Sequence, residues 1–237
     1  MALNDPLELF LILIFLAIFS IFSYKKKLLD FEGVLIGNAV GLAAITFGPN
    51  PLIDFGIVVV FFVLGEIASN YPRKKHEQRN IWNVIGNSLP ALVVLSLILL
   101  FPSNKPIQVI IELGFFGAIS AALADTLSSE IGYYSKSKPV MITTLKPVVR
   151  GTDGGVTLLG EIAALFGGTV IALIYFFFIS QNYLFTALIL LAGLVGSNTD
   201  SIFGALFETK KLMNNTQVNM IGSAAGAVFC LLLGLLI

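Results

Sequence analysis

The chain has 237 residues, 57% of them hydrophobic and 12% charged, with a mean hydropathy of +0.93 and a formal net charge of zero. That composition excludes a soluble globular domain, and apolar runs recur along the whole length, which excludes a soluble protein with one anchor. The single Cys230 rules out an internal disulfide, and with the single His76 it rules out a His/Cys zinc site; a catalytic metal must be held by oxygen, which points to magnesium or manganese.

Allowing roughly 20 residues per crossing, the apolar runs place spans at about 7–23, 33–48, 52–69, 81–101, 107–125, 156–179, 184–206 and 216–237. The fold class is therefore all-α: a polytopic membrane helix bundle of about eight transmembrane helices forming one integral membrane domain over residues 1–237. The first span has no basic residues before it and no small-residue cleavage pattern after it, so it reads as a retained helix. Lys25, Lys26 and Lys27 follow span one, and Arg73, Lys74, Lys75 and Arg79 follow span three. Lys136, Lys138, Lys146 and Arg150 follow span five, Lys210 and Lys211 follow span seven, and only Lys105 falls on the opposite side. The positive-inside rule then makes the odd-numbered connections cytoplasmic and leaves both termini outside, for a multi-pass protein of the cell membrane.

Polar residues in the spans gather at the cytoplasmic boundary. Asn38 lies one turn into span two, Glu66 and Asn70 close span three, and Asn83 and Asn87 open span four one turn apart. Span five ends at Asp125, and span seven carries Asp200 and then Glu208. An acid within a span is expensive and marks a functional site. Small residues recur on the same faces: Gly114, Ala118, Ala121 or Ala122 in span five, Gly193, Gly196 or Ser197 and Gly204 in span seven, and Gly33, Gly37 and Gly41 in span two. Such stripes let helices approach closely, so the acids face helices and not lipid. Glu112 is the only acid read well inside the outer half, which weighs against an ion relay.

The connection 126–155 is read as a cytoplasmic active-site loop. It holds Ser129, Glu130, Lys146, Arg150 and the run RGTDGG, and span six begins directly after Gly154 and Gly155. Gly-rich turns that open a helix present backbone N–H groups to anions, so Thr152, Asp153, Gly154 and Gly155, with Ser129 nearby, form the expected phosphate cradle. There is no Walker A pattern and no Rossmann fingerprint. Paired acids, a cationic Gly loop and an interfacial position together suit a lipid phosphate and a nucleotide or pyrophosphate from the cytosol.

The runs ADTLSSEIG, KPVMITTLKPVVRGTDGGVTLLGE, GLVGSNTDSIFGALFE and VNMIGSAAGA, with RNIWNVIGNSLPAL and its Asn87 before them, resemble the integral membrane family that includes plant phytyl-phosphate kinase and the animal transmembrane protein 19 group. A more distant similarity reaches dolichol kinase and CDP-diacylglycerol synthase. The resemblance implies phosphoryl transfer from a nucleoside triphosphate, typically CTP, to an isoprenyl monophosphate such as phytyl or geranylgeranyl phosphate. One departure stands at ETKKLMNNTQ, where many members carry cysteines and this chain has none.

On this reading Asp125 and Asp200, with Glu130 or Glu208, hold one or two Mg²⁺ ions, while Lys146 and Arg150 neutralise the donor phosphates. Asn38, Asn83, Asn87, Glu66 and Asn198 orient ligands or waters around them. Two other classes stay open: a CTP-dependent lipid cytidylyltransferase, which would use the same residues, and a small-molecule transporter. The expected partners are an isoprenoid lipid phosphate, a nucleotide and the membrane, with no nucleic acid; a homo-oligomer stays open.

Overall fold

The structure, a computed structural model, describes residues 6–69 and 80–237. Asn70 and the basic group from Arg73 to Arg79 lie outside the described residues. Within them the chain forms α1 (Pro6–Lys25), α2 (Phe31–Phe47), α3 (Pro51–Ser69), and α4 (Ile81–Ser96), prolonged by a 3₁₀ turn at Leu97–Leu100. Then come α5 (Lys105–Gly132), a short hairpin of β1 (Val140–Met141) and β2 (Gly155–Val156), and α6 (Leu158–Phe178). The chain closes with α7 (Tyr183–Phe203), which runs into a π-helical turn at Gly204–Glu208, and α8 (Asn215–Gly234). Every expected span is a helix, and six of the helices, α3 to α8, are long and apolar enough to cross a membrane. The Gly-rich α2 has only 17 residues.

The helix starts follow from short polar side chains placed where the first backbone N–H groups lack partners. Asp30 accepts from Gly33 N at 2.7 Å, Asn104 from Ile107 N at 3.2 Å and Thr157 from Gly160 N at 3.0 Å. Asn80 with Asn83, and Asn214 with Gln217, form reciprocal capping boxes on α4 and α8. Such caps fix where each span leaves the polar boundary.

Helix α5 is the centre of the bundle, packed against α3, α4, α6, α7 and α8, with α1 to α3 grouped to one side. Lipid competes with helices for apolar contact, so close association here depends on shape and dispersion more than on expelled water. The small-residue stripes provide that shape. A Cβ on Gly117 would stand 2.6 Å from the Gly226 carbonyl oxygen, and one on Gly196 would stand 2.2 Å from Ala121 Cβ. On α2 the stripe is looser: Gly41 meets Phe55 at 2.9 Å, whereas Gly37 has only Leu29 at 3.9 Å.

Helix α5 continues through Gly132 and does not end at Asp125. Residues 126–132, expected in the loop, are helical because Leu127 and Ile131 still pack against neighbouring helices. The loop therefore leaves the bundle two turns beyond Asp125, and this places the acid inside the packed end.

Candidate functional site

Asp125 and Asp200 meet where α5, α7 and α8 converge. The hydroxyl of Ser197, on α7, donates to Asp125 Oδ1 across the α5–α7 contact at 3.5 Å. Asp200 lies one turn beyond Ser197 and turns toward α8, where a Cβ on Gly222 would stand 3.0 Å from its own Cβ. The Asn219 side chain, oriented by its hydrogen-bond network, donates to Asp200 Oδ2 at 3.0 Å and to Asn215 O at 3.3 Å. The charges of Asp125, Glu208 and Asp153 all act on Asp200. Among the described residues no Lys or Arg offsets Asp125, Asp200 or Glu208.

The π-helical turn at Gly204–Glu208 puts an extra residue into the end of α7. Gly154 fits against that turn: its φ is +76°, and a Cβ on it would stand 2.5 Å from Ala205 Cβ and 2.6 Å from the Ser201 carbonyl oxygen. Only glycine combines that backbone conformation with that approach. The hairpin holds the turn from the other side, with Met141 opposite Gly155, Val140 opposite Val156, and Ile142 N donating to Gly154 O at 2.9 Å. Thr157, which caps α6, also donates its hydroxyl to Gly132 O at 3.3 Å and ties the start of α6 to the end of α5.

The expected cradle is partly occupied by its own turn. Gly155 N donates to Thr152 O at 2.9 Å, and Thr152 N and Oγ1 donate to Val149 O at 3.2 and 2.7 Å. Asp153 is exposed with its charge near Asp200. Lys146 is exposed on the loop, and Ser129 is exposed on the last turn of α5. Arg150 has a structural use that its sequence position does not reveal: its guanidinium donates to the carbonyls of Ser135 and Ser137 and lies 6.0 Å above the Tyr133 ring.

The remaining expected residues divide. Glu208 joins the acids, whereas Glu130 turns toward α3, accepting from Ser69 Oγ at 3.3 Å and lining a cavity with Leu64 and Phe166. Asn38 donates to Ser20 Oγ at 2.8 Å and joins α2 to α1, while Asn83 is spent on the α4 capping box. Both line an apolar cavity among α1 to α4, away from the acids. Asn87 is buried and donates to Asn83 O at 2.9 Å, and Glu66 is buried near the end of α3. Asn198 donates to Glu161 Oε2 at 3.2 Å, which brings in an α6 acid that sequence reasoning passed over. Asn219 was passed over too, although it stands one turn before the Gly222 and Gly226 stripe on α8. Among the described residues no three His, Cys, Asp or Glu side chains gather as a metal cage.

The end of the bundle opposite Asp125, expected to be the outer one, also differs from expectation. Glu112 is not alone there: Asp54, in the first turn of α3, is buried beside it. Their contact joins residues 58 positions apart in the chain, a pairing that periodicity does not expose.

Apolar helices long enough to cross a membrane, packed around a polar end with half-buried acids, define a polytopic integral membrane protein. The family described as integral membrane protein DUF92 matches residues 14–227, and the chain belongs to that family. It is 30% identical over 236 residues to an uncharacterized membrane protein of Methanocaldococcus jannaschii, covering 96% of this chain and 94% of that one. It is 34% identical over 217 residues to Protein PGR of Arabidopsis thaliana, covering 78% of this chain and 74% of the relative. It is 28% identical over 211 residues to the chloroplastic Protein VTE6 of the same plant, covering 84% and 63%. No solved structure matches.

Proposed function

We propose that the protein is a phosphotransferase acting on isoprenyl monophosphates, with a nucleoside triphosphate, CTP first, as donor and the diphosphate as product. The observation that carries the reading is the meeting of Asp125 and Asp200, with Glu208 and Asp153 near Asp200 and, among the described residues, no basic side chain that offsets the pair. Like charges held together in a half-buried site need a cation. Mg²⁺ suits this donor set, since it is commonly held by one or two carboxylates together with substrate phosphates and water, and needs no all-protein cage. Asp125 and Asp200 would hold it, and it would neutralise the phosphates during transfer.

The chain's own residues do the rest. Asn219 and Ser197 keep the two carboxylates oriented, and the Gly154 turn, held on the end of α7, fixes the loop beside them. Lys146 reaches the donor phosphates, and Arg150 holds the loop in shape through Ser135 and Ser137. The acceptor phosphate is already ionised, so its oxygen attacks the γ-phosphorus without a general base; the new P–O bond forms as the bond to the departing nucleoside diphosphate breaks. The resemblance to the family of plant phytyl-phosphate kinase supports this substrate class. The site faces the cytoplasm on the basis of the basic connections.

The test uses purified protein with Mg²⁺, geranylgeranyl phosphate, and CTP or ATP labelled at the γ-phosphate. A labelled prenyl diphosphate is the expected product. An unlabelled CDP-lipid with released pyrophosphate would instead identify a cytidylyltransferase, and no transfer from either nucleotide would overturn the proposal.

A further inference from the structure

Asp54 and Glu112 stand at the end of the bundle opposite Asp125, and the proposed transfer uses neither. Asp54 is 0% exposed and Glu112 2%. The two carboxyls lie close enough for their charges to act on each other. Asn50 frames them, its backbone N–H donating to Asp54 Oδ2 at 3.0 Å and its amide donating to Glu112 Oε1 at 2.7 Å. A Cβ on Gly48 would stand 2.1 Å from Asp54 Oδ2, so the turn before α3 is shaped around that carboxyl.

A second feature points at the same place. Tyr175 of α6 is 0% exposed, its hydroxyl has no hydrogen-bond partner, and it lines one cavity with Asn50 and Glu112. Asp54 Oδ1, in the carboxyl next to Glu112 but outside the cavity lining, is buried and also without a partner. Buried polar oxygens left in this state cost free energy unless something fills the space between them. The other ionisable group lining the cavity is Lys105, exposed, with its ammonium on Gln108 Oε1 at 3.3 Å; Cys230 of α8 lies near Tyr175 outside the lining.

We propose that this cavity binds one small, hard monovalent cation, represented by sodium, through the Glu112 carboxylate, the Tyr175 hydroxyl oxygen and the Asn50 amide oxygen. Of the two acids only Glu112 lines the cavity, so one carboxylate faces it and a single positive charge matches that. Between this site and Asp125 run Leu113–Ala124 of α5, all buried and carrying no ionisable side chain; the hydroxyl of Ser120 donates to Ile189 O. That segment separates the two sites by about 20 Å along the helix, so the cation site is independent of the transfer site and no relay links them through α5.

The test compares thermal melts of detergent-purified protein in sodium chloride and in N-methylglucamine chloride at equal ionic strength, together with binding of radiolabelled sodium. Wild type should show a saturable rise in Tm in sodium only. Glu112→Gln and Tyr175→Phe should lose the sodium-specific rise and bind the label at least about tenfold more weakly, while Asp125→Asn keeps both. Tyr175→Phe leaves both carboxyls in place and decides the matter if Glu112→Gln does not fold. Equal shifts in the two salts for wild type, or wild-type sodium binding by Tyr175→Phe, would overturn the proposal.

Discussion

Gly154 rests on Ala205 so closely that a Cβ on the glycine would stand 2.5 Å from the alanine's Cβ. This contact fastens the loop to the π-helical end of α7, next to Asp200. Gly154→Ala must accept both the collision and a left-handed backbone, the latter costing about 1–2 kcal/mol. It should lower Tm and remove transfer activity. Gly151, at φ +86°, is the control: only Tyr133 Cε2 comes near, at 3.9 Å, so Gly151→Ala carries strain without collision. Melts and transfer rates that do not distinguish the two variants would show that the docking of the turn does not matter.

The loop cations separate by role. Arg150→Ala loses its bonds to the Ser135 and Ser137 carbonyls and should reduce stability by about 1–2 kcal/mol. Arg150→Lys should not restore it, because an ammonium cannot reproduce the planar fork over Tyr133. Lys146→Ala should leave the melt unchanged and weaken nucleotide use by about 1–3 kcal/mol, read as a higher KM. Lys136→Ala should change neither. Equal effects of all three on KM would mean that the loop acts by general basicity.

Asn219 offers a probe of the acid cluster from the α8 side. Asn219→Asp sets a further carboxylate against Asp200. Without divalent ions its Tm should fall below wild type, and Mg²⁺ should recover most of the loss. If Mg²⁺ restores nothing, the carboxylates do not share a cation.

How much of this was legible in the sequence follows from the range of each interaction. The eight helices were, because each depends on its own apolar run and a nearby cap. Asp125 and Asp200 were too, because an acid on a small-residue stripe marks itself. The Asp54–Glu112 pair was not: it depends on the α2–α3 turn reaching α5, which the spacing within either helix does not record. Arg150 was misleading for a related reason. A cation beside a Gly turn looks the same whether it serves a phosphate or the loop's own carbonyls. Glu130 was placed with Asp125 by proximity along the chain, but five residues of helix turn it toward α3.

The orientation proposed from the basic connections is tested by cysteine labelling. Lys136 and Gln181 are both exposed and lie in connections at opposite ends of the bundle, and the native Cys230 is buried, so background reaction should be low. Lys136→Cys should react only from the cytoplasmic side and Gln181→Cys only from outside. Reaction of both from one side would contradict the arrangement.

The central claim is that Asp125 and Asp200 act together through a divalent cation in phosphoryl transfer. Its most direct test is the rate of γ-phosphate transfer to geranylgeranyl phosphate by wild type, Asp125→Asn and Asp200→Asn across a Mg²⁺ titration. The amide keeps the shape of each side chain and removes the charge that the cation needs. The account predicts Mg²⁺-dependent transfer by wild type and a loss of at least about a thousandfold in each folded variant, of the order seen when a charge-stabilising group is removed from an active site. Variants that transfer phosphate at the wild-type rate, or a wild type indifferent to Mg²⁺, would contradict it.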